Sequence, residues 1–306
     1  MRTMTALIKR EYLEHKGAFL YAPAVLFGLF TLAMVSALAF NKVRLPVDVE
    51  THSTLKIFEV AFLGTGWMWF IYLMVTLFFY YADAFNADRR NNAMLFWKSM
   101  PVSDFTVLAS KMLTGLTLFP MVIFAMIIAT GLVLYGTTTA AVIALPMLDV
   151  PGVAEMLGSA VQVIAFSLTY LVLGLLWYAP FFAWVGVLST VVGRWSIPLA
   201  FLIPGLAVLG ENLIFRGLSG VIGDFLMPGS GPRGGYILSY LHERSEFGPD
   251  GRLMRSWFGA EQPFDALANI ADLVASIDWA QMAAGLIFAG IVVYLASEYR
   301  RRVVQT

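Results

Sequence analysis

The chain has 306 residues, of which 59% are hydrophobic, 14% aromatic and 13% charged, with a formal net charge of zero. Soluble domains hold roughly 45–50% apolar and about 25% charged residues, so a mean hydropathy of +0.76 excludes an ordinary water-borne fold and points to an all-α integral membrane protein. Cysteine is absent, which excludes disulfides, thiolate nucleophiles and cysteine metal sites; His15, His52 and His242 lie on separate segments, which argues against a histidine site.

From the N-terminus, residues 3–16 put Met4, Leu7, Ile8 and Tyr12 on one helical face, with Lys9, Arg10, Glu14 and Lys16 elsewhere. This is the pattern of a short interfacial helix in the headgroup plane; a solvated basic flank is the other reading. No cleavable signal peptide is expected. A helix needs roughly 20 mostly apolar residues to cross a bilayer, and such runs at 18–40, 60–81, 107–135, 158–190, 196–215 and 279–297 predict six spans. The third and fourth exceed the requirement, which tilt or extension beyond the lipid absorbs. Pro23, Pro120, Pro180, Pro198 and Pro204 fall inside spans and are each expected to kink their helix. The turn Gly193-Arg194-Trp195 is so short that spans four and five should form a tight antiparallel pair.

Orientation follows the basic residues. With the N-terminus in the cytoplasm, the inside holds Arg2, Lys9, Arg10, Lys16, Arg89, Arg90, Lys98, Lys111, Arg194 and the Arg300, Arg301, Arg302 cluster. That is twelve of the twenty basic residues against six of the twenty acids, so both termini are expected inside. Outside, loops 41–59 and 136–157 are modest, whereas 216–278 forms a partly helical external cap. Its stretch Met227 to Gly235 must be irregular, while Tyr236–His242 and Phe264–Ile277 read as helical. In the second, Phe264, Leu267, Ala271, Val274 and Ile277 share a face, and Asp278 is placed to cap the final span. At roughly 60 residues the cap has too little apolar surface for a core of its own, so 1–306 reads as one transmembrane domain.

Several sites are sought and not found. No Gly-x-x-x-x-Gly-Lys-Ser/Thr sequence exists, so the chain has no P-loop for ATP phosphates. His-Glu-x-x-His and Gly-x-Ser-x-Gly are absent. The spans read as nearly free of the ionisable groups that intramembrane chemistry needs, with Glu211 the main exception. Two roles are open for it: a structural pairing with Arg216 or another cap arginine, or an outer-gate substrate contact. No catalytic, cofactor or metal constellation is visible.

The most informative segment is 83–105, too polar for the bilayer and set between two spans. A polar run from Asn86 to Asn92 includes Asp88, Arg89 and Arg90. Met94, Leu95, Phe96 and Trp97 follow, then Lys98 and a break at Pro101. Proline disfavours helix at the preceding residue, so a short amphipathic helix should end near Ser99; Ser103 or Asp104 can cap the next one. Held at both ends by spans, this helix could pass force to a docked partner, or could anchor Phe96 and Trp97 among headgroups.

The acid and Arg-Arg, then Leu-Phe-Trp-Lys-Ser-Met-Pro-Val-Ser-Asp (95–104), then Leu108 and Lys111, resemble the bacterial ABC-2-type transporter permeases. The N-terminal helix with Lys-Arg-Glu (9–11), six spans, cytoplasmic termini and a large loop between spans five and six agree in layout. Met100 stands where that family commonly has Leu, Asn91-Asn92-Ala93 where small residues are frequent, and the external cap is longer than in simpler members. The resemblance implies an exporter subunit of the bacterial inner membrane, without its own ATPase site, whose 83–105 segment is the coupling helix. ATP and Mg would be bound by a separate P-loop ATPase subunit. On that resemblance Leu95, Phe96 and Trp97 fill a groove on the ATPase, Asp88, Arg89, Arg90 and Lys98 supply charged contacts, Pro101, Val102, Ser103 and Asp104 set the angle into the next span, and Lys111 opens it. A second permease copy, or a related chain, would complete the pathway among membrane lipids; no nucleic-acid partner is expected. Apolar walls rich in Phe, Leu and Met would favour an amphiphilic or lipid-like substrate, a peptide or a drug over an ion. The competing readings are a secondary carrier, for which no internal repeat or proton relay is seen, a scaffold acting through the external cap, and a membrane enzyme, which lacks any constellation.

Overall fold

The computed structural model describes residues 2–40, 54–90, 103–144, 151–226, 236–245 and 264–303. Its helices, in chain order, are α1 (Arg2–Lys16), α2 (Ala22–Ala39), α3 (Thr54–Arg90), α4 (Asp104–Leu116), α5 (Leu118–Ala144), α6 (Val153–Val192), α7 (Ser196–Leu226), α8 (Tyr236–Ser245), α9 (Ala266–Ser276) and α10 (Trp279–Val303). No strand occurs among the described residues. Among the described residues, five helical stretches are long and apolar enough to cross a membrane: Met4–Ala39, Leu55–Ala87, Asp104–Ala141, Val153–Ile214 and Trp279–Arg302. The chain is therefore an all-helical membrane protein.

The prolines act differently from one another. A π-helical turn, Gly17–Tyr21, joins α1 to α2 without a break in helical backbone, and Pro23 stands in the first turn of α2. A proline crowds the carbonyl four residues before it and donates nothing; the wider turn directly ahead of Pro23 absorbs that conflict. Pro120 has a similar effect on α4 and α5, which part at Thr117 (φ −124°, ψ −65°), where the Thr117 N–H still reaches the Leu113 carbonyl at 2.9 Å. Pro180 and Pro204 sit inside continuous helices. Pro198, expected to kink a span, lies in the first turn of α7, where its missing N–H has no intrahelical partner to lose.

The helix α3 is central, packing on α4, α5 and above all α6, which in turn carries α10 and α9. The core is aromatic: Phe19 stacks on Phe119 with centroids 3.7 Å apart, and Tyr81 on Phe182 at 5.3 Å. Trp69 of α3 donates its indole N–H to Thr130 Oγ1 of α5 at 3.0 Å, and the Tyr72 hydroxyl donates to the Ala18 carbonyl at 2.6 Å. By contrast α2 is peripheral. Only 11% of the most apolar part of Met4–Ala39 is buried, against 67% in Val153–Ile214, and Val25, Leu29, Leu32 and Val35 lie exposed.

The long stretch 153–214 folds back on itself at a 3₁₀ turn, Gly193–Trp195. Val185 and Ala200 share one buried cluster, which a straight helix would separate by roughly 22 Å. Gly193 has φ 60° and ψ −120°, a region open in practice to glycine alone, and a Cβ there would also lie 3.1 Å from Asn86 Nδ2. The Ser196 hydroxyl donates to the Ala82 carbonyl at 3.2 Å, which ties this turn to α3.

The helix α9 differs from expectation in register. α9 begins at Ala266, with Asp265 accepting from the Leu267 and Ala268 N–H groups, and its buried residues are Ala266 and Leu273, continued by Ile277. Leu267, expected on the inner face, is 82% exposed. Two hydrogen bonds choose this register: Phe264 N–H to Glu59 Oε2 at 2.9 Å and Ala266 N–H to Gln162 Oε1 at 3.2 Å. Asp278 does cap α10, accepting from the Gln281 N–H at 2.9 Å.

Replacing Gly193 by Val is expected to destabilise the turn by about 1–3 kcal/mol. A drop in the thermal unfolding midpoint of the detergent-solubilised protein checks this; an unchanged midpoint would show that the backbone at 193 relaxes freely.

Candidate coupling face

One end of the bundle gathers the C-terminal turns of α3, the start of α4, the turn at 193–195, the end of α10 and the middle of α1. A buried ion pair is its centre. Lys111 Nζ lies 2.8 Å from Glu11 Oε1, the lysine side chain fully buried and the glutamate nearly so. The Tyr80 hydroxyl stands 3.2 Å from both Glu11 Oε2 and the Lys111 backbone oxygen, with one proton to give to either. His15 Nδ1 meets the Glu11 carbonyl at 3.1 Å, and its ring sits edge-on to Tyr80 at 4.8 Å. Three helices, α1, α3 and α4, are fastened by this one group. An amphipathic helix merely floating in headgroups would not bury a glutamate, so α1 is a packed part of the bundle.

Around that pair lie further ties. The Tyr81 hydroxyl donates to the Met112 carbonyl at 2.9 Å. Ser103, in extended conformation, caps α4 by accepting from the Thr106 N–H at 3.1 Å. Asp104 in the first turn faces Arg300 Nε of α10 at 3.3 Å, with the arginine 4% exposed. Beside them a cavity of about 490 Å³ opens between α3 and the 193–195 turn, lined by Asp83, Asn86, Arg194 and the exposed Trp195.

The residues proposed from sequence for ATPase coupling divide accordingly. Asp88, Arg89 and Arg90 are in the last turn of α3, which stays helical to Arg90. Leu95, Phe96, Trp97, Lys98, Pro101 and Val102 lie outside the described residues. Ser103 and Asp104 form the capped start of α4, and Lys111 is turned inward against Glu11. Glu211 accepts a hydrogen bond from the Ile237 N–H at 2.8 Å, which caps the first turn of α8; the side chain of Arg216 lies outside the described residues.

Sequence reasoning missed the number of buried ionisable groups. It placed Lys56 and Glu59 in an external loop, yet α3 begins at Thr54 and draws both inside. Glu59 is 1% exposed, accepts from the Ser159 hydroxyl at 2.8 Å as well as from Phe264 N–H, and stands 4.0 Å from Lys56 Nζ. The usable signal was a charge three residues from another at the head of an apolar run, the spacing of one helical face. Arg244 of α8 is also buried, with Cζ 4.0 Å from the centre of the Trp177 ring. Burial lowers its pKa from the usual arginine range, against the smaller opposing effects of Tyr240, Asp278 and Tyr178.

Among the described residues one group, Glu11, Glu14 and His15, brings possible metal-ligand atoms within 4.8 Å of one another. Its carboxylates already face cations, Glu11 with Lys111 and Glu14 with Arg10 at 2.7 Å, so the charge that a metal would neutralise is matched by the chain itself.

No protein-family model matches the chain, and no curated protein or solved structure matches it either. The site must be interpreted from its own geometry.

Removing one member of a buried pair strands the other, at a cost of about 3–5 kcal/mol. Lys111→Met alone should therefore destabilise strongly, whereas Glu11→Leu with Lys111→Met should recover most of the loss. Unfolding midpoints of the two single and the double variants provide the check; additive losses would show that the groups act separately.

Proposed function

We propose that this protein is the permease subunit of an ATP-driven exporter, coupled to a separate ATPase chain through residues 83–105 and moving an amphiphilic or lipid-like molecule. The single observation behind the proposal is mechanical. Both flanks of the 91–102 segment run straight into buried, multiply tied helices: α3 through Tyr80 and Tyr81, and α4 through the Ser103 cap, Asp104 with Arg300, and Lys111 with Glu11. A partner pressing on such a segment displaces the bundle itself rather than a slack loop. The sequence of that segment resembles the coupling region of ABC-2-type permeases, and the chain has no phosphate-binding loop of its own. ATP and Mg therefore belong to the partner in this reading.

The chain then crosses the membrane six times, the stretch 153–214 contributing two crossings that meet at Gly193–Trp195. Both termini and the 83–105 segment face the cytoplasm. The exposed apolar side of α2 is available to lipid or to a second permease copy.

Buried aromatic anchors dominate interfaces of this kind. Phe96→Ala with Trp97→Ala is expected to abolish transport-linked ATP hydrolysis and co-purification of the ATPase, while the solubilised permease keeps its unfolding midpoint. Survival of stimulated ATPase activity in that variant would remove the proposal. The topology is tested separately on the cysteine-free background. Single cysteines at Ser99 and Ser230 should react with an impermeant maleimide from opposite faces of sealed membranes, and labelling from one face would overturn the six-span reading.

A further inference from the structure

A large apolar cavity lies between α6, α7, α8 and α10, beginning about one turn beyond the 193–195 reversal. Its volume is about 1230 Å³, and Phe181, Trp184, Phe201, Leu209, Leu241 and Phe288 form much of its wall. It follows α7 from Pro198 to Leu209, a length of roughly 16 Å at the helical rise, so its shape suits an extended chain rather than a compact solute. Among the described residues, Arg244 is the single charged residue on its lining.

That arginine is in an unusual state. It is 2% exposed, and its Nη1 and Nη2 atoms are buried with no hydrogen-bond partner among the described residues. The Trp177 ring covers one side of the guanidinium, while the Trp177 indole N–H donates to the Arg244 backbone carbonyl at 2.9 Å. This stacking holds the side chain in place and offsets part of its desolvation, but it leaves the donors unused. Asp278 is near enough to act on its charge but supplies none of the hydrogen bonds that Nη1 and Nη2 lack, and a buried cation without a hydrogen-bonded anion is costly. Two further features show that the place is built. Gly285 of α10 lines the same cavity, and a Cβ there would overlap Arg244 Nη2 and approach Pro180 Cγ at 2.8 Å; the absent side chain is what makes room for the guanidinium. Trp184, on the cavity wall, also has a buried indole N–H without a partner among the described residues.

We infer that this cavity binds an anionic lipid, its acidic head on the Arg244 guanidinium and an acyl chain along the apolar wall beside α7. The walls exclude a free inorganic anion as the natural occupant, because its remaining oxygens would meet hydrocarbon. They disfavour a zwitterionic lipid, whose phosphate would reach Arg244 only by bringing its own cation into the same apolar surroundings. The inference concerns binding alone and does not depend on an ATPase partner, so it stands or falls apart from the coupling experiment.

The test uses the full chain in phosphatidylcholine nanodiscs doped with either phosphatidylglycerol or phosphatidylcholine carrying brominated acyl chains. Bromine quenches tryptophan on contact, and subtraction of a Trp184→Phe variant isolates the wall residue. Trp184 emission should be quenched at a ~10-fold lower mole fraction of brominated phosphatidylglycerol than of brominated phosphatidylcholine, the size expected for a charge-assisted contact. Arg244→Gln and Gly285→Val, the second displacing the guanidinium without changing charge, should each erase the preference. Equal quenching by the two lipids, or a preference that survives Arg244→Gln, would overturn the inference. A second measurement leaves Arg244 and Gly285 unchanged. Unlabelled phosphatidylglycerol should restore Trp184 emission in the wild-type protein, and restoration by millimolar inorganic phosphate would instead assign the site to a free anion.

Discussion

Glu11 and Lys111 form the contact on which the packing of the N-terminal half depends. Each is carried on a different helix and comes from a distant part of the chain, and their contact at 2.8 Å fixes how α1 sits on α4 and, through Tyr80, how both sit on α3. Replacing such a pair with hydrocarbon often costs little in stability; what the pair supplies is uniqueness of arrangement, since sliding α1 by one turn would strand both charges. Apolar helices in lipid lack that discrimination, because one Leu-rich face fits another almost as well as the next. The register of the whole N-terminal half therefore rests on two side chains and a phenol.

The same logic repeats at the opposite end of α3. Glu59 gathers Ser159 of α6 and the backbone of Phe264, so one carboxylate aligns two long helices and the segment leading into α9. Aromatic packing fills the space between these polar fasteners, with Phe19 on Phe119 and Tyr81 on Phe182. Directional bonds specify, and dispersion and burial hold.

Much of this was legible from the sequence. Long apolar runs announced an all-helical membrane protein, Ser103 and Asp278 were readable as caps, and the brevity of 193–195 announced a reversal. What could not be read depended on partners far away in the chain. Lys111 was read as the residue that opens a span, and nothing near it named Glu11. Lys56 and Glu59 were assigned to a loop because hydropathy alone cannot tell a satisfied buried charge from a solvated one. The face of α9 failed for a local reason. The run ALANIADLVAS is apolar on overlapping stripes, so periodicity permits either, and the backbone bonds to Glu59 and Gln162 made the choice. The segment 91–102, richest in sequence signal, lies outside the described residues, and its surroundings had to be inferred from its flanks.

The peripheral position of α2 has a mechanical meaning. One helical rod runs from Arg2 to Ala39 through the π turn at Gly17–Tyr21. Its first part is bolted to the bundle by Glu11, and its second part lies along α5 with its other side left exposed. Such a rod links two surroundings: the short arm is held beside Lys111, and the long arm turns Val25, Leu29, Leu32 and Val35 outward. A rotation of α1 too small to break the Lys111 contact would be multiplied along about 27 Å of α2, shifting the face that α2 packs on α5.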